Sequence, residues 1–283
     1  MFKTILVHVD LSAHAPGRMR HAAALARTHG AHLLGAAMFG VSRSIFPNGY
    51  TPRPGTLEAS CFDPLANNAR RALAHFDAIA VAANVPHEGR FVCDRADDGL
   101  ARLARFADLV VVSQDDPDES LPDTAVRLPD YVIMNCARPV LAVPFTPPGA
   151  NGGDHVLVAW DGSKEAARAL GAAVPLLRHA RTVTVAALSG TGPETGADEL
   201  RAQQPDIVGF LGRHGITPRM LVHEAGPGTA QDTGHALLDL AAGLHCDLLV
   251  MGCYGHGKLR ELCLGGASRT VLADARIPVL LAH

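Results

Sequence analysis

Gly252, Gly255, Gly265 and Gly266 punctuate the stretch from Asp247 to Thr270, DLLVMGCYGHGKLRELCLGGASRT, and their spacing suits a loop that cradles phosphate. Glycine lets backbone turn sharply or approach a ligand closely. Ahead of the glycines, Leu248, Leu249, Val250 and Met251 form an apolar run of the length expected for an interior parallel strand. Behind them, Ala267 to Ala273 reads as a helix whose unpaired N–H groups can face an anion, with Ser268 in its first turn. Lys258 and Arg260 in the loop offer cations, and Tyr254 offers a ring for stacking, although core packing is the commoner use of an aromatic side chain. The second chemical group is Asp161, which closes the apolar strand VLVAW at the start of VLVAWDGS; it can contact a ligand, cap the helix that follows, or do both. A plainer alternative makes the four glycines turn and helix-start residues only.

The elements that position these residues come from a duplication. Ile5 to Ser12 (ILVHVDLS) matches Val156 to Ser163 (VLVAWDGS) at an offset of 156 − 5 = 151. Asp108 to Val112 (DLVVV) matches Asp247 to Met251 (DLLVM), and Pro139-Val140-Leu141 matches Pro278-Val279-Leu280, at 247 − 108 = 139. The chain is therefore a tandem repeat, with about 151 − 139 = 12 extra residues in the first half, assigned to the Pro-, Gly- and Ser-rich stretch from Gly40 to Phe62 as a loop or small excursion. Near-continuous apolar strands alternate with helices: in the second half, strands at 156–160, 182–188, 219–223, 248–251 and 278–282, and helices at 164–178, 205–214, 234–243 and 267–274. This pattern predicts an α/β fold of two tandem doubly wound, Rossmann-like five-stranded parallel sheets, residues 1–148 and 153–283, joined through the Pro- and Gly-rich segment at 147–153 and packed as a pseudo-dimer. Ligands of such sheets bind at the carboxyl ends of strands where the winding reverses, which brings Asp161 toward Gly252 to Gly255.

Composition excludes several functions. The 283 residues are 48% hydrophobic and 19% charged with a net charge of −3, and no long basic run favours nucleic acid or an anionic membrane. No apolar run reaches the ~20 residues of a membrane span, and MFKTILVHVD enters a strand without a signal-peptide core, so a cytoplasmic location is expected. The six cysteines contain no C-x-x-C pair, and the scattered histidines show no metal-ligand spacing. Cys253, at a strand end beside a glycine turn, is a candidate activated thiolate, with a buried inert thiol as the alternative. Neither a Walker A loop nor a nucleophile–base pair is present, so efficient turnover is not expected.

Together, the strand ends ILVHVDLS and VLVAWDGS, the loop MGCYGHGKLRELCLGG and the closing PVLLAH resemble the universal stress protein family in its tandem two-domain form. The family's nucleotide-binding members carry G-x2-G-x9-G-[S/T], and Gly252, Gly255 and Gly265 stand at that spacing, with Gly266 in place of the hydroxyl residue. The resemblance implies that Asp161 holds the adenosine end of ATP, that Ala159 and β-strand residues near Ala187 line an adenine slot, and that the glycine stretch from Met251 to Ser268 wraps the phosphates, with or without Mg. It also implies a homodimer. Gly266 removes a hydroxyl donor, and Ser268 is placed to substitute for it.

The first half departs further. Subtracting 139 puts Ser113, Asp116, Val126 and Arg127 where the second half has Gly252, Gly255, Gly265 and Gly266, and the intervening loop is rich in Asp and Glu. A phosphate there would meet like charge, so this half is expected to have lost the phosphate site and to keep Asp10 as a relic or a structural cap. Two readings remain open: a stress-response regulator that binds an adenine nucleotide in its C-terminal half, and a nucleotide-independent partner-binding module.

Overall fold

The computed structural model describes residues 1–40, 57–114, 127–145, 153–189, 196–224, 230–253 and 266–283. The chain divides into two compact units, Met1–Pro147 and Pro148–His283.

Unit 1 contains β1 (Thr4–His8), α1 (Ala15–His29), β2 (His32–Met38), α2 (Leu57–Ala82), β3 (His87–Val92), α3 (Ala96–Leu103), β4 (Leu109–Ser113), α4 (Leu128–Asn135) and β5 (Val140–Val143). Its sheet is parallel in the order β3-β2-β1-β4-β5. The central strands β1 and β4 are buried along nearly their whole length, as the unbroken runs TILVH and LVVVS require, whereas the edge strand β3 is mostly exposed. Helix α2 drives Phe76, fully buried, onto the Cα of Gly35 in β2.

Unit 2 repeats the plan with β6 (His155–Ala159), α5 (Lys164–Leu177), β7 (Thr182–Ser189), α6 (Gly196–Arg213), β8 (Arg219–Glu224), α7 (Ala230–Gly243), β9 (Leu248–Gly252), α8 (Gly266–Asp274) and β10 (Val279–Ala282). These strands are parallel in the order β10-β9-β6-β7-β8, the same winding as unit 1. Each unit is therefore the doubly wound five-stranded parallel sheet read from the sequence.

The duplication extends to individual hydrogen bonds. Asp108, before β4, accepts from the N–H groups of Lys3 (2.6 Å) and Thr4 (2.9 Å), and Asp247, before β9, accepts from those of Asp154 (3.0 Å) and His155 (2.8 Å). Each carboxylate fastens the start of the neighbouring central strand.

Three expectations change. Residues 41–56 lie outside the described residues, but Leu57 to Phe62, assigned to the loop, belong to α2. Helix α6 begins at Gly196 rather than at 205 and runs through Pro205, because Leu200, Ile207 and Leu211 are all buried along it. Burial of Leu200 outweighs the one backbone hydrogen bond that Pro205 cannot make. Helix α4, opened by Pro129 in its first turn, was not read from the sequence because its eight residues are too few to show a period.

Candidate functional site

In unit 2 the winding reverses between β6 and β9, which pair side by side from Val156↔Leu248 to Val158↔Val250. Beyond them the chain makes a tight turn into α5. The Trp160 N–H donates to the Ala186 carbonyl (2.8 Å), so the sheet ladder continues one residue past β6. Asp161 is exposed, and its Oδ1 accepts the Ser163 N–H at 2.9 Å. Gly162 follows at φ +79°, a left-handed conformation that a side chain would strain. Ser163 then caps α5, its Oγ accepting the Ala166 N–H at 3.0 Å. The sequence D-G-S thus builds a rigid Asx turn that presents one carboxylate at the strand tip.

Gly252, at the tip of β9, approaches protein rather than open space. A Cβ built there would lie 2.4 Å from the Ala166 nitrogen and 2.5 Å from the Glu165 carbonyl carbon. Its missing side chain is what lets the N-terminus of α5 sit against the sheet. In unit 1 the equivalent residue is Ser113, and there α1 begins at Ala15, whereas α5 begins at Lys164, the counterpart of residue 164 − 151 = 13.

The other expected residues divide into three groups. Met251 and Ser268 are buried, Ser268 in the first turn of α8, which begins with Gly266 and Ala267. Ala159 ends β6 and pairs in register with Ala186, so alternation along β7 puts Ala187 on the opposite face of the sheet from Ala159. The structure does not bring those two alanines to one slot. Tyr254, Gly255 and Gly265, with Lys258 and Arg260, lie outside the described residues.

Trp160 and Cys253 are both packed into the unit. Trp160 is buried, and its Nε1 donates to Gln203 Oε1 (3.2 Å) on α6, while Gln203 in turn donates to Glu199 (2.8 Å). It fixes α6 to the strand tip. Cys253 is 2% exposed, and its thiol donates to the Ala282 carbonyl at 3.3 Å, which is the setting of an inert packing residue rather than of a reactive thiolate. Burial likewise pushes the Cys246 thiol up to about 11.

Glu165 was not singled out from the sequence. It occupies the first turn of α5 beside Gly252, is 3% exposed, and its Oε2 has no hydrogen-bond partner; Lys164 Nζ stands 3.5 Å from the other oxygen. The helix N-terminus favours the negative charge. Its signal was the acidic residue two places after the cap, which reads equally as ordinary helix-start chemistry.

In unit 1 the same tip is filled from within. Arg18, on α1 and 2% exposed, donates from Nε to the His8 carbonyl (2.9 Å) and from Nη1 to Ser113 Oγ (2.5 Å), and its Nη2 lies 3.1 Å from Asp10 Oδ1. Asp10 also accepts from Ser12 N–H (2.9 Å) and Oγ (2.6 Å), the turn that Asp161 and Ser163 repeat in unit 2. Burial works to raise the Asp10 carboxyl, but Arg18, His8 and the Ser12 hydrogen bonds outweigh it and hold it at about 2. Burial, with the Arg18 charge beside it, pushes the His8 imidazole down to about 4, so it is neutral at pH 7. Asp10 is therefore a structural group, one of the two roles expected for it.

The sequence model described as Universal stress protein family matches residues 228–283. The match covers less than half of the chain. The resemblance read from the strand ends and the glycine loop is supported on independent grounds. No curated protein matches the chain. Among solved structures it is similar to a universal stress protein from Archaeoglobus fulgidus DSM 4304, with 19% identity over 99% of this chain and 95% of that one, at a TM-score of 0.70. It is also similar to a protein of unknown function from Pseudomonas aeruginosa PAO1, with 16% identity over 99% and 92% of the two chains and a TM-score of 0.54. At these identities the likeness is one of fold. Among the described residues no helix is long and apolar enough to cross a membrane.

Proposed function

We propose that the chain is a tandem universal stress protein that binds an adenine nucleotide, ATP or a close relative, at the strand tips of unit 2. Occupancy is passed on through homodimer assembly rather than through turnover of the nucleotide. The observation that carries this reading is Asp161: an exposed carboxylate at the point where the winding reverses, fixed in its turn by the Ser163 N–H. A carboxylate in that place accepts hydrogen bonds from the paired hydroxyls of a ribose. The glycine loop that follows β9 then receives the phosphates, and any Mg ion travels with them.

Calorimetric titration with Mg-ATP tests the reading. Wild-type protein releases heat with a stoichiometry of one per chain, and Asp161→Ala weakens binding at least tenfold, the equivalent of about 1.4 kcal/mol for a charged hydrogen bond lost. Absence of heat with the wild type overturns it. Light scattering with and without nucleotide tests the assembly step.

A second reading, a nucleotide-independent partner-binding module, is favoured by Gly252, whose lack of a side chain is accounted for by helix α5 alone. Under that reading ATP changes neither melting temperature nor oligomeric state.

A further inference from the structure

We propose that the strand-tip crevice of unit 1 is a guanidinium site, occupied in cis by Arg18, so that this unit is held permanently in a ligand-filled state. This does not rest on nucleotide binding by unit 2. Three acceptors from three segments converge on one fork: the His8 carbonyl at the end of β1, Ser113 Oγ at the end of β4, and Asp10 in the turn between β1 and α1. The guanidinium bridges the two central strand tips, the place where ligands of doubly wound sheets sit. Planar, permanently charged and forked, it donates hydrogen bonds to two of the acceptors and pairs by charge with the third, which a compact ammonium could not do in the same geometry.

The contrast with unit 2 gives the arrangement its meaning. At offsets of 151 and 139 the counterparts of His8, Arg18 and Ser113 are Ala159, Ala169 and Gly252, each cut back to a methyl group or to none, while Asp10 and its serine are retained as Asp161 and Ser163. Ala169 is buried, as Arg18 is, so the two helices present this position to the sheet in the same way. One unit therefore keeps the carboxylate and supplies the cation from its own helix. The other keeps the carboxylate, and its helix carries Ala169 where unit 1 has the arginine. Unit 1 does not respond to ligand concentration, and any response of the chain arises in unit 2.

The test is chemical rescue in the full chain. Arg18→Ala removes the buried cation, leaving Asp10 one-third exposed and still held by Ser12, and lowers the melting temperature by about 5 °C. Millimolar methylguanidinium chloride then raises the melting temperature of the variant saturably by several degrees, while sodium chloride and methylammonium chloride at equal ionic strength do not, and wild type shows no rise. Arg18→Val, whose branches end short of the space that methylguanidinium takes, gives the same rescue and serves if the alanine variant does not fold. A melting temperature unchanged by removal of Arg18, or equal responses to methylguanidinium and methylammonium, overturns the proposal.

Discussion

The Gly252→Ala substitution separates packing from ligand approach as the reason for glycine at the tip of β9. The added Cβ would stand 2.4 Å from the Ala166 nitrogen, 2.5 Å from the Glu165 carbonyl carbon and 2.9 Å from Glu165 Cβ, where ordinary contact begins at 3.4 Å. Two of these atoms are backbone, so no rotamer change relieves the contact; the first turn of α5 must retreat by about 1 Å. That movement strains the Ser163 cap and loosens the contact of α5 with β9. Overpacking of this kind costs about 1–3 kcal/mol, or roughly 5–10 °C in melting temperature for a unit of this size. Thermal unfolding followed by circular dichroism, with Mg-ATP titrated into the same samples, supplies the readout. A variant that melts within 1 °C of wild type refutes the packing argument, and if it also fails to bind nucleotide, ligand approach becomes the reason for the glycine.

Unit 1 should lose stability in mild acid. His8 and His21 are buried and pushed down to about 4 from 6.5, so their contribution is complete above pH 6.5 and falls as pH drops toward 4, by about 2 kcal/mol each at pH 5. Urea midpoints that do not change between pH 7 and pH 5 contradict this, and His21→Leu should roughly halve the slope. Asp247→Ala removes the acceptor shared by the N–H groups of Asp154 and His155 and should destabilise unit 2 by about 2–3 kcal/mol, with Asn recovering about half; a change under 0.5 kcal/mol in denaturant unfolding would show that water replaces the carboxylate.

The winding of both units was legible in the sequence because interior parallel strands must be apolar on both faces, and ILVHV, DLVVV, VLVAW and DLLVM announce themselves by that alone. Asp161 was legible for a similar reason: an Asp-Gly-Ser after an apolar strand has little to form except a turn and a cap. What could not be read was which atom each side chain would meet. Gly252 looks the same in sequence whether a phosphate or a helix N-terminus demands it, and only the distance to Ala166 decides. Which face Ala187 presents could not be read either. Strand register is set by pairing rather than by composition, and a shift of one residue between Ala186 and Ala187 moves the side chain to the other face. Trp160 and Cys253 carry chemistry-bearing groups whose partners, Gln203 and Ala282, lie more than twenty residues away in the chain, beyond any local signal.

Arg18 exposes the limit of reading a duplicated site through its glycines alone. The acidic loop of the first half already suggested that phosphate was excluded, but the decisive residue sits on a helix face, in a position that the second half fills with Ala169. A buried guanidinium is tolerated only where a carboxylate and further acceptors meet it, because desolvating the charge alone would cost several kcal/mol. Arg18 therefore depends on Asp10 and Ser113 together; the aspartate is common to both halves, and positions 18 and 113 differ from their counterparts Ala169 and Gly252. Reverting Ser113 to glycine takes one acceptor from the buried guanidinium, reverting Arg18 to alanine takes the cation from Asp10, and introducing an arginine at Ala169 would bring it to a tip where Gly252 has no hydroxyl to receive it. The two halves thus differ by a coupled pair of substitutions. That coupling keeps one unit closed while the other retains an exposed carboxylate at its tip.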